Sequence, residues 1–220
     1  MTFMTVNQRT TKKRFPRKGS KPKSVATASA SIAGSAKRHV AGKGGSRSWV
    51  IVYTGEGKGK TTASLGMALR AVGYDLKVCM IQFVKGSWSS GELKSSWLLA
   101  PNFRIIRAGK GFVGIIDDKR PVSEHIAAAK EALRKSEVVI SSGRYDIVIL
   151  DEINYAVSRK LIGVGAVLRL IRRRPVHVNL VLTGRGAPQR VIDAADLVTD
   201  MRKIKHPYDR GMTARKGIDF

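Results

Sequence analysis

Short apolar runs alternate with segments of helical periodicity along the chain from Trp49 onward. The apolar runs predict six β-strands, at Trp49–Thr54, Lys77–Phe83, Phe103–Arg107, Asp146–Glu152, His177–Gly184 and Ala195–Met201. The segments between them predict helices over Thr61–Val72, Val122–Glu137, Val157–Arg173 and Pro188–Ala194. Strands that are apolar throughout are typical of a sheet covered on both faces, and strand–helix alternation indicates parallel pairing. The pattern therefore predicts a doubly wound, mostly parallel α/β sheet.

The first predicted strand runs into a glycine-rich turn, "TGEGKGKTT", which a helix follows. In such a turn the backbone N–H groups and the positive end of the helix together bind phosphate oxygens. The spacing is a variant of G-x-x-x-x-G-K-[ST], since Thr54 stands where the first glycine is expected. We therefore predict a nucleotide triphosphate site, in which Lys60 reaches the outer phosphates and the Thr61 hydroxyl ligates magnesium.

A second chemical position follows the strand "IVILDE", which ends in Asp151 and Glu152. We expect this strand to lie beside the first one, so that an acid at its end holds magnesium directly or through water. The predicted metal ligands are Thr61, Asp151 and Glu152. Together with the glycine-rich turn, this strand end indicates a sheet of the P-loop NTPase, RecA-like type.

Charge separates the chain into two parts. It carries 41 Lys and Arg against 16 Asp and Glu, a formal net charge of +25. Residues 1–48 contain twelve of these cations and no acid, and they lack an apolar period long enough to bury. We predict a disordered basic tail over 1–48 and one domain over 49–220. The tail is either a solvated arm, an anchor to nucleic acid or another polyanion, or an organellar transit peptide.

The cysteine count and the length of the apolar runs bear on location. A single cysteine excludes a disulfide framework and favours a reducing cytoplasm, with Cys79 as a core residue. No apolar stretch approaches the roughly 18 residues of a membrane span. We therefore expect a cytoplasmic protein with no membrane partner.

Further motifs follow the other predicted strands, in the order "QFVKGSWSSGE" (Gln82–Glu92), "TGRGAP" (Thr183–Pro188) and "DLVTDMRKIKHPYDRGMTARKGIDF" (Asp196–Phe220). With the glycine-rich turn and the "LDE" strand end, they make the chain from Trp49 to Phe220 resemble the P-loop type ATP:cob(I)alamin (corrinoid) adenosyltransferases. Members of that family carry TGxGKGKTT, QFxKGxWxxGE, VxLDE and TGR motifs, and they end in K-H-x-(F/Y)-D-x-G-x-x-A-x-x-G-I-(D/E)-(F/Y). The resemblance thus covers the whole predicted domain.

The resemblance implies transfer of the 5′-deoxyadenosyl group of ATP to the cobalt(I) of a corrinoid, with release of triphosphate, in adenosylcobalamin synthesis or salvage. The corrinoid would be cob(I)alamin or cob(I)yrinic acid a,c-diamide. Cobalt(I) needs no general base, so the protein must mainly align both reactants and stabilise the leaving triphosphate. The resemblance further implies Mg²⁺, an electron donor such as a flavoprotein, and a homodimer. It leaves open which phosphate Lys60 meets, because family members bind the nucleotide in the reverse direction to most P-loop proteins.

The motifs assign site residues by their positions in this sequence. The nucleotide-binding residues would be Thr54, Gly55, Glu56, Gly57, Lys58, Gly59, Lys60, Thr61, Thr62 and Arg185. The corrinoid-binding residues would be Trp88, Glu92, Phe112 and His206. Lys60, Thr61 and Phe112 would be the catalytic residues.

Several of these assignments have a structural alternative. Phe112 is otherwise a core residue, His206 a turn residue before Pro207, and Arg185 a loop anchor. Glu92, with its neighbour Lys85, otherwise has a surface role.

One position departs from the family pattern. Where many members have "GFTW", this chain has "GFVG", so Gly114 replaces a tryptophan that helps Phe112 cover the cobalt. Either another aromatic such as Trp88 or Trp97 covers that face, or cobalt reduction is weaker, or the enzyme prefers a different corrinoid.

Two other functions compete with the transferase. One is a P-loop ATPase that binds nucleic acid through the basic tail, and the other is a carrier of corrinoid or nucleotide that does not turn over.

Overall fold

The computed structural model describes residues 47–86, 90–113, 118 and 120–220. The predictions made for the tail up to residue 46, for Trp88 and for Gly114 lie outside the described residues.

Six strands and six α-helices alternate along the described residues. They are β1 (Val50–Thr54), α1 (Lys60–Val72), β2 (Val78–Gln82), α2 (Gly91–Leu98), β3 (Phe103–Arg107), α3 (Val122–Ser141), β4 (Ile147–Asp151), α4 (Ile153–Ser158), α5 (Val164–Arg173), β5 (Asn179–Thr183), α6 (Gln189–Ile192) and β6 (Leu197–Asp200), followed by a 3₁₀ helix at Pro207–Arg210. Every strand falls within its predicted bounds, and the doubly wound α/β fold is confirmed.

The strands form one parallel sheet in the order β3-β2-β4-β5-β1-β6. The prediction that the strand ending in Asp151 lies beside the first strand is wrong, because β5 pairs with both and separates them. The carboxyl ends of β4, β5 and β1 nevertheless lie next to one another at one edge of the sheet. That edge is where ligands of such folds bind.

Two helix predictions need correction. The predicted helix Val157–Arg173 is two helices, α4 and α5, because Lys160 has a left-handed backbone (φ 58°) and Gly163 is extended (φ −81°, ψ 141°). Helix α2 was not predicted, since it is short and buries none of its residues, so its sequence carries no apolar stripe. The other predicted helices, which have a buried face, are present.

Two hydrophobic clusters cover the two faces of the sheet, as the apolar strands predict. Alternate residues of the strands enter one cluster or the other: Val52, Ile81, Leu150 and Leu182 lie in the larger cluster with α3, α4 and α5, and Ile51, Met80, Ile149 and Val181 lie in the smaller one with α1. Full burial of each such side chain contributes about 1.5–3 kcal/mol to folding. The coverage does not extend to the edge strand β6, whose four residues are all exposed.

Cys79 belongs to the larger cluster and is fully buried, as predicted for a core residue. Burial raises the pKa of its thiol to about 11, so the thiol stays protonated at neutral pH. Within the described residues, no helix combines the length and the apolarity that crossing a bilayer requires.

Candidate active site

The glycine-rich turn joins β1 to α1 at the carboxyl edge of the sheet. Gly55 and Gly59 have φ of 93° and 121°, a backbone region that disfavours any other residue. The turn curls around the Lys60 side chain, whose Nζ donates hydrogen bonds to the carbonyls of Gly55 (2.7 Å) and Gly57 (2.6 Å). Burial lowers the pKa of Lys60, and the charge of Glu152 opposes that shift. The loop thus holds a desolvated ammonium group at its mouth.

The backbone that follows β6 packs against this turn. The Gly57 N–H donates to the Met201 carbonyl (2.6 Å), and the Met201 N–H donates to the Thr54 carbonyl (2.9 Å). A Cβ atom on Gly57 would lie 2.5 Å from the Met201 carbonyl oxygen and 2.7 Å from that of Arg202. Gly57 is therefore required by this backbone contact as well as by the turn. The sequence did not predict the contact, because a contact between two backbone segments does not depend on a recognisable side-chain pattern.

Asp151, at the end of β4, is fully buried beside the start of α1. Its Oδ1 accepts hydrogen bonds from the hydroxyls of Thr61 (2.8 Å) and Thr183 (2.8 Å). Its Oδ2 is buried and has no hydrogen-bond partner among the residues that the structure describes. Burial raises the pKa of Asp151, and the two hydroxyls oppose that shift. An unpartnered carboxylate oxygen next to a threonine hydroxyl is a donor set that suits a hard cation such as Mg²⁺.

Glu152 follows Asp151 in a left-handed conformation (φ 62°), which is uncommon for a residue with a side chain. Its N–H donates to the Thr183 hydroxyl (2.9 Å). Burial and the charge of Asp151 raise the pKa of Glu152 to about 7. Thr183 therefore links the ends of β4 and β5, a role that sequence reasoning missed although this polar residue ends an apolar strand.

Arg185 lies just after β5 and forms an ion pair with Glu56 of the glycine-rich turn (3.0 Å). Both side chains are more than half exposed, so the pair contributes about 1 kcal/mol at most. Thr54, by contrast, is buried behind the turn, where its hydroxyl accepts a hydrogen bond from the Ala187 N–H (3.1 Å).

An aromatic cluster forms another part of the same edge. Phe112 packs against Tyr155 of α4 with the rings 5.4 Å apart in an edge-to-face arrangement (77°). The Tyr155 hydroxyl donates to the Val113 carbonyl (3.3 Å), and the Arg159 guanidinium lies over the Tyr155 ring at 5.3 Å. Sequence reasoning singled out Phe112 but neither Tyr155 nor Arg159, although both follow the "LDE" strand end within eight residues.

Glu92, at the start of α2, forms an ion pair with Lys85 and accepts a hydrogen bond from the Gln82 amide (3.3 Å). Burial is the largest single influence and raises the pKa of Glu92, but the hydrogen bond and charge of Lys85, together with hydrogen bonds from the Glu92 backbone and from Ser90, hold the pKa below its ordinary value. Trp97, the candidate second aromatic that is described, is 82% exposed and does not line the cleft, because it lies on the outer face of α2.

The chain closes over the glycine-rich turn with its last residues. His206 precedes the 3₁₀ helix, and its Nδ1 accepts a hydrogen bond from the Tyr208 N–H (3.2 Å). Farther along, Asp219 forms an ion pair with Lys58 of the turn. His206 thus has a capping role in the fold and also faces the cleft described next.

One cleft of about 1560 Å³ brings these groups together. Its described lining includes Glu56 to Thr62 of the turn and α1, together with Glu92, Phe112, Asp151, Glu152, Arg185 and His206. Two of the residues assigned to nucleotide binding, Thr54 and Gly55, lie outside that lining. The cleft is large enough for two sizeable ligands, with cationic and backbone donors in one part and aromatic rings in another.

Comparison with known proteins gives a consistent result. The family model described as "ATP:corrinoid adenosyltransferase BtuR/CobO/CobP" matches residues 46–220. The corrinoid adenosyltransferase of Escherichia coli K12 is 35% identical over 177 residues, which are 79% of this chain and 86% of the relative. Corrinoid adenosyltransferase CobA of Salmonella typhimurium is 34% identical over the same shares, and the corrinoid adenosyltransferase of a Sinorhizobium species is 36% identical over 78% of this chain and 79% of its own.

Proposed function

The chain belongs to the ATP:corrinoid adenosyltransferase family, whose members adenosylate corrinoids with ATP, and from that premise we propose how its cleft carries out the reaction. The observation that carries the proposal is the single cleft that joins the Lys60 loop to the aromatic pair Phe112 and Tyr155. The predicted alternatives, a nucleic-acid-binding ATPase and a carrier, receive no support from the comparisons.

We assign ATP to the part of the cleft formed by the glycine-rich turn. The backbone N–H groups at the start of α1 and the ammonium of Lys60 would bind the triphosphate. Lys60 now donates to two loop carbonyls, and it would exchange these for phosphate oxygens when the nucleotide binds. Its partly desolvated charge makes that exchange favourable, because an electrostatic interaction is stronger where water is excluded.

Thr61 and Asp151 are the residues that would hold Mg²⁺, directly or through water, with Glu152 beside them. The unpartnered Oδ2 of Asp151 supports this assignment. The ion would neutralise part of the charge on the triphosphate as it leaves. Thr183 would orient Asp151 by its hydrogen bond to Oδ1.

We assign the corrinoid to the part of the cleft that contains Phe112 and Tyr155. The reaction forms a bond between cobalt and C5′ of ATP while the bond from C5′ to the triphosphate oxygen breaks, and its electron pair leaves with triphosphate. No proton has to be removed from the nucleophile, so the chain's contribution is alignment and stabilisation of the leaving group. Glu92 and His206 line the cleft and would contact the corrinoid's side chains.

Four further points remain proposals. Cobalt must be reduced before it attacks, so the enzyme requires an electron donor, for example a flavoprotein. A homodimer is expected from the resemblance to the family. Nucleic acid would bind, if at all, through the tail only, and a cytoplasmic location is expected from the single cysteine.

The test is an anaerobic reaction of the purified protein with MgATP and chemically reduced cobalamin. We expect a light-sensitive organocobalt spectrum and the release of triphosphate. Lys60→Ala should abolish both, whereas Lys130→Ala, which removes an exposed cation of α3 outside the cleft, should leave both unchanged. Cleavage of ATP to ADP and phosphate with unchanged cobalamin would overturn the proposal and assign the protein to the ATPases.

A further inference from the structure

Arg159 differs from the other cations of the cleft. Six described Lys and Arg side chains line it, and four of them pair with a carboxylate. The paired cations are Lys58, Lys85, Arg185 and Lys203. Lys60 donates to carbonyls of the glycine-rich turn. Of the six side chains, that of Arg159 alone has neither a carboxylate nor a carbonyl oxygen as a partner among the residues that the structure describes, so its charge is available to a ligand.

The position of Arg159 is set by its neighbours. Its backbone N–H donates to the Tyr155 carbonyl at the end of α4 (2.9 Å), and its guanidinium lies over the Tyr155 ring, 5.3 Å from the ring centroid, within the range of a cation–π contact. That ring is held in turn by Phe112 and by the Val113 carbonyl. A cation–π contact does not neutralise the guanidinium, and no described carboxylate or carbonyl accepts a hydrogen bond from its side-chain N–H groups. The group is therefore oriented without being neutralised.

We propose that Arg159 is a specificity-determining residue that binds an anionic group, a carboxylate or a phosphate, at the periphery of the corrinoid. The inference rests on the proposed function, because it needs the corrinoid to lie at the aromatic cluster. Arg159 belongs to that cluster through Tyr155 and has no contact with the glycine-rich turn among those described. A planar guanidinium binds carboxylate and phosphate oxygens through two parallel hydrogen bonds, which a lysine does not reproduce.

Three reduced corrinoids separate the sources of the anion. Cobyrinic acid a,c-diamide carries ionised carboxylates, cobalamin carries a phosphodiester, and cobinamide carries neither. Initial rates with MgATP would be measured for the wild type, Arg159→Gln, Arg159→Lys and the control Lys160→Gln. Lys160 is an exposed neighbour that does not line the cleft, so its loss removes the same charge from the same surface.

We expect Arg159→Gln to raise KM for an anionic corrinoid roughly 10-fold, which is the loss of about 1.4 kcal/mol for a charge-assisted hydrogen bond. KM for cobinamide, KM for ATP and kcat should stay within about twofold of the wild type. Arg159→Lys should recover part of the affinity, and Lys160→Gln should match the wild type. A rise confined to the diamide identifies a carboxylate, and a rise confined to cobalamin identifies the phosphodiester.

Three outcomes would overturn the inference. An equal rise of KM for all three corrinoids would mean that Arg159 only supports Tyr155. A raised KM for ATP would mean that it contacts the nucleotide, and unchanged constants for every corrinoid would mean that it contacts neither. If the wild-type protein adenosylates none of the three corrinoids, it is the proposed function that fails.

Discussion

Replacement of Gly57 by alanine tests how the glycine-rich turn is held. The backbone of Met201 and Arg202 occupies the space that a side chain on Gly57 would need, at 2.5 Å and 2.7 Å from the Cβ position. Ordinary contacts begin at 3.4 Å, so the turn or the segment after β6 must move by roughly 1 Å. Neither partner is a flexible side-chain end that could move aside at little cost.

The expected cost has two parts. Overpacking of this kind destabilises a protein by about 1–3 kcal/mol, and the hydrogen bond from the Gly57 N–H to the Met201 carbonyl weakens as the atoms separate. For a domain of this size the thermal midpoint Tm should fall by about 2 to 12 °C. A phosphate-binding turn displaced by 1 Å should also lower kcat/KM for ATP by at least 10-fold, up to about 100-fold.

Gly66→Ala is the matched control, because Gly66 is exposed in the middle of α1 and a Cβ there meets nothing within 4 Å. It should raise stability by about 0.5–1 kcal/mol, since alanine favours a helix over glycine. The assays are thermal unfolding and ATP-dependent initial rates of corrinoid adenosylation. If Gly57→Ala shows the Tm and the kcat/KM of the wild type, the segment after β6 does not confine the turn and the reasoning is refuted.

Three more predictions follow from the site and the tail. Asp151→Asn should raise the Mg²⁺ concentration for half-maximal activity by at least 10-fold; an unchanged Mg²⁺ dependence would contradict its role as a metal ligand. The pKa of Glu92 is lowered, so its ion pair with Lys85 stabilises the fold fully at pH values above 4.5, the ordinary pKa of a glutamate, and loses that effect as the pH falls through the lowered pKa. The urea midpoint of unfolding, measured from pH 7 to pH 3, should therefore fall less steeply in Lys85→Met than in the wild type. A protein that starts at Trp49, without the predicted tail, should keep full activity, and it should lose any salt-dependent retention on DNA that the full chain shows; equal retention of both would remove the tail from that role.

The strands could be predicted because each is a short, mostly apolar or β-branched run between polar or glycine boundaries, most clearly Val50–Thr54 and Ile147–Asp151. The order of the strands in the sheet could not be predicted, because the sequence of a parallel crossover connection does not show whether the next strand pairs with the previous one or lies farther away in the sheet. The insertion of β5 between β1 and β4 is such a case. The break between α4 and α5 was missed for a different reason: the left-handed Lys160 is followed by buried Leu161 and Ile162, which continue the apolar pattern across the break.

That Lys60, Thr61 and Asp151 would lie in one cleft was predictable, because they come from short motifs whose spacing reflects their chemistry, while their binding of phosphate and metal stays a prediction. What could not be predicted are the groups that position them. Thr183 meets Asp151 across 32 residues of sequence, and the backbone of Met201 meets Gly57 across a still longer separation. Such contacts depend on the sheet order, so they become visible only once the fold is known.

The charges of the cleft show how the fold distinguishes its two ligands before either binds. Ion pairs at the exposed positions leave little net charge there, as with Arg185 and Glu56. Among the described residues of the cleft, the charged groups that lack such an ion pair are the buried Asp151 carboxylate, Glu152, the partly desolvated Lys60 and Arg159 above the Tyr155 ring. Under the proposed function, Asp151 and Lys60 would meet a metal ion and the triphosphate, which would neutralise their charges. Among the described cations of the cleft, Arg159 is then the one left without an anionic partner, so we expect selection among corrinoids by their charge to depend on it more than on the glycine-rich turn.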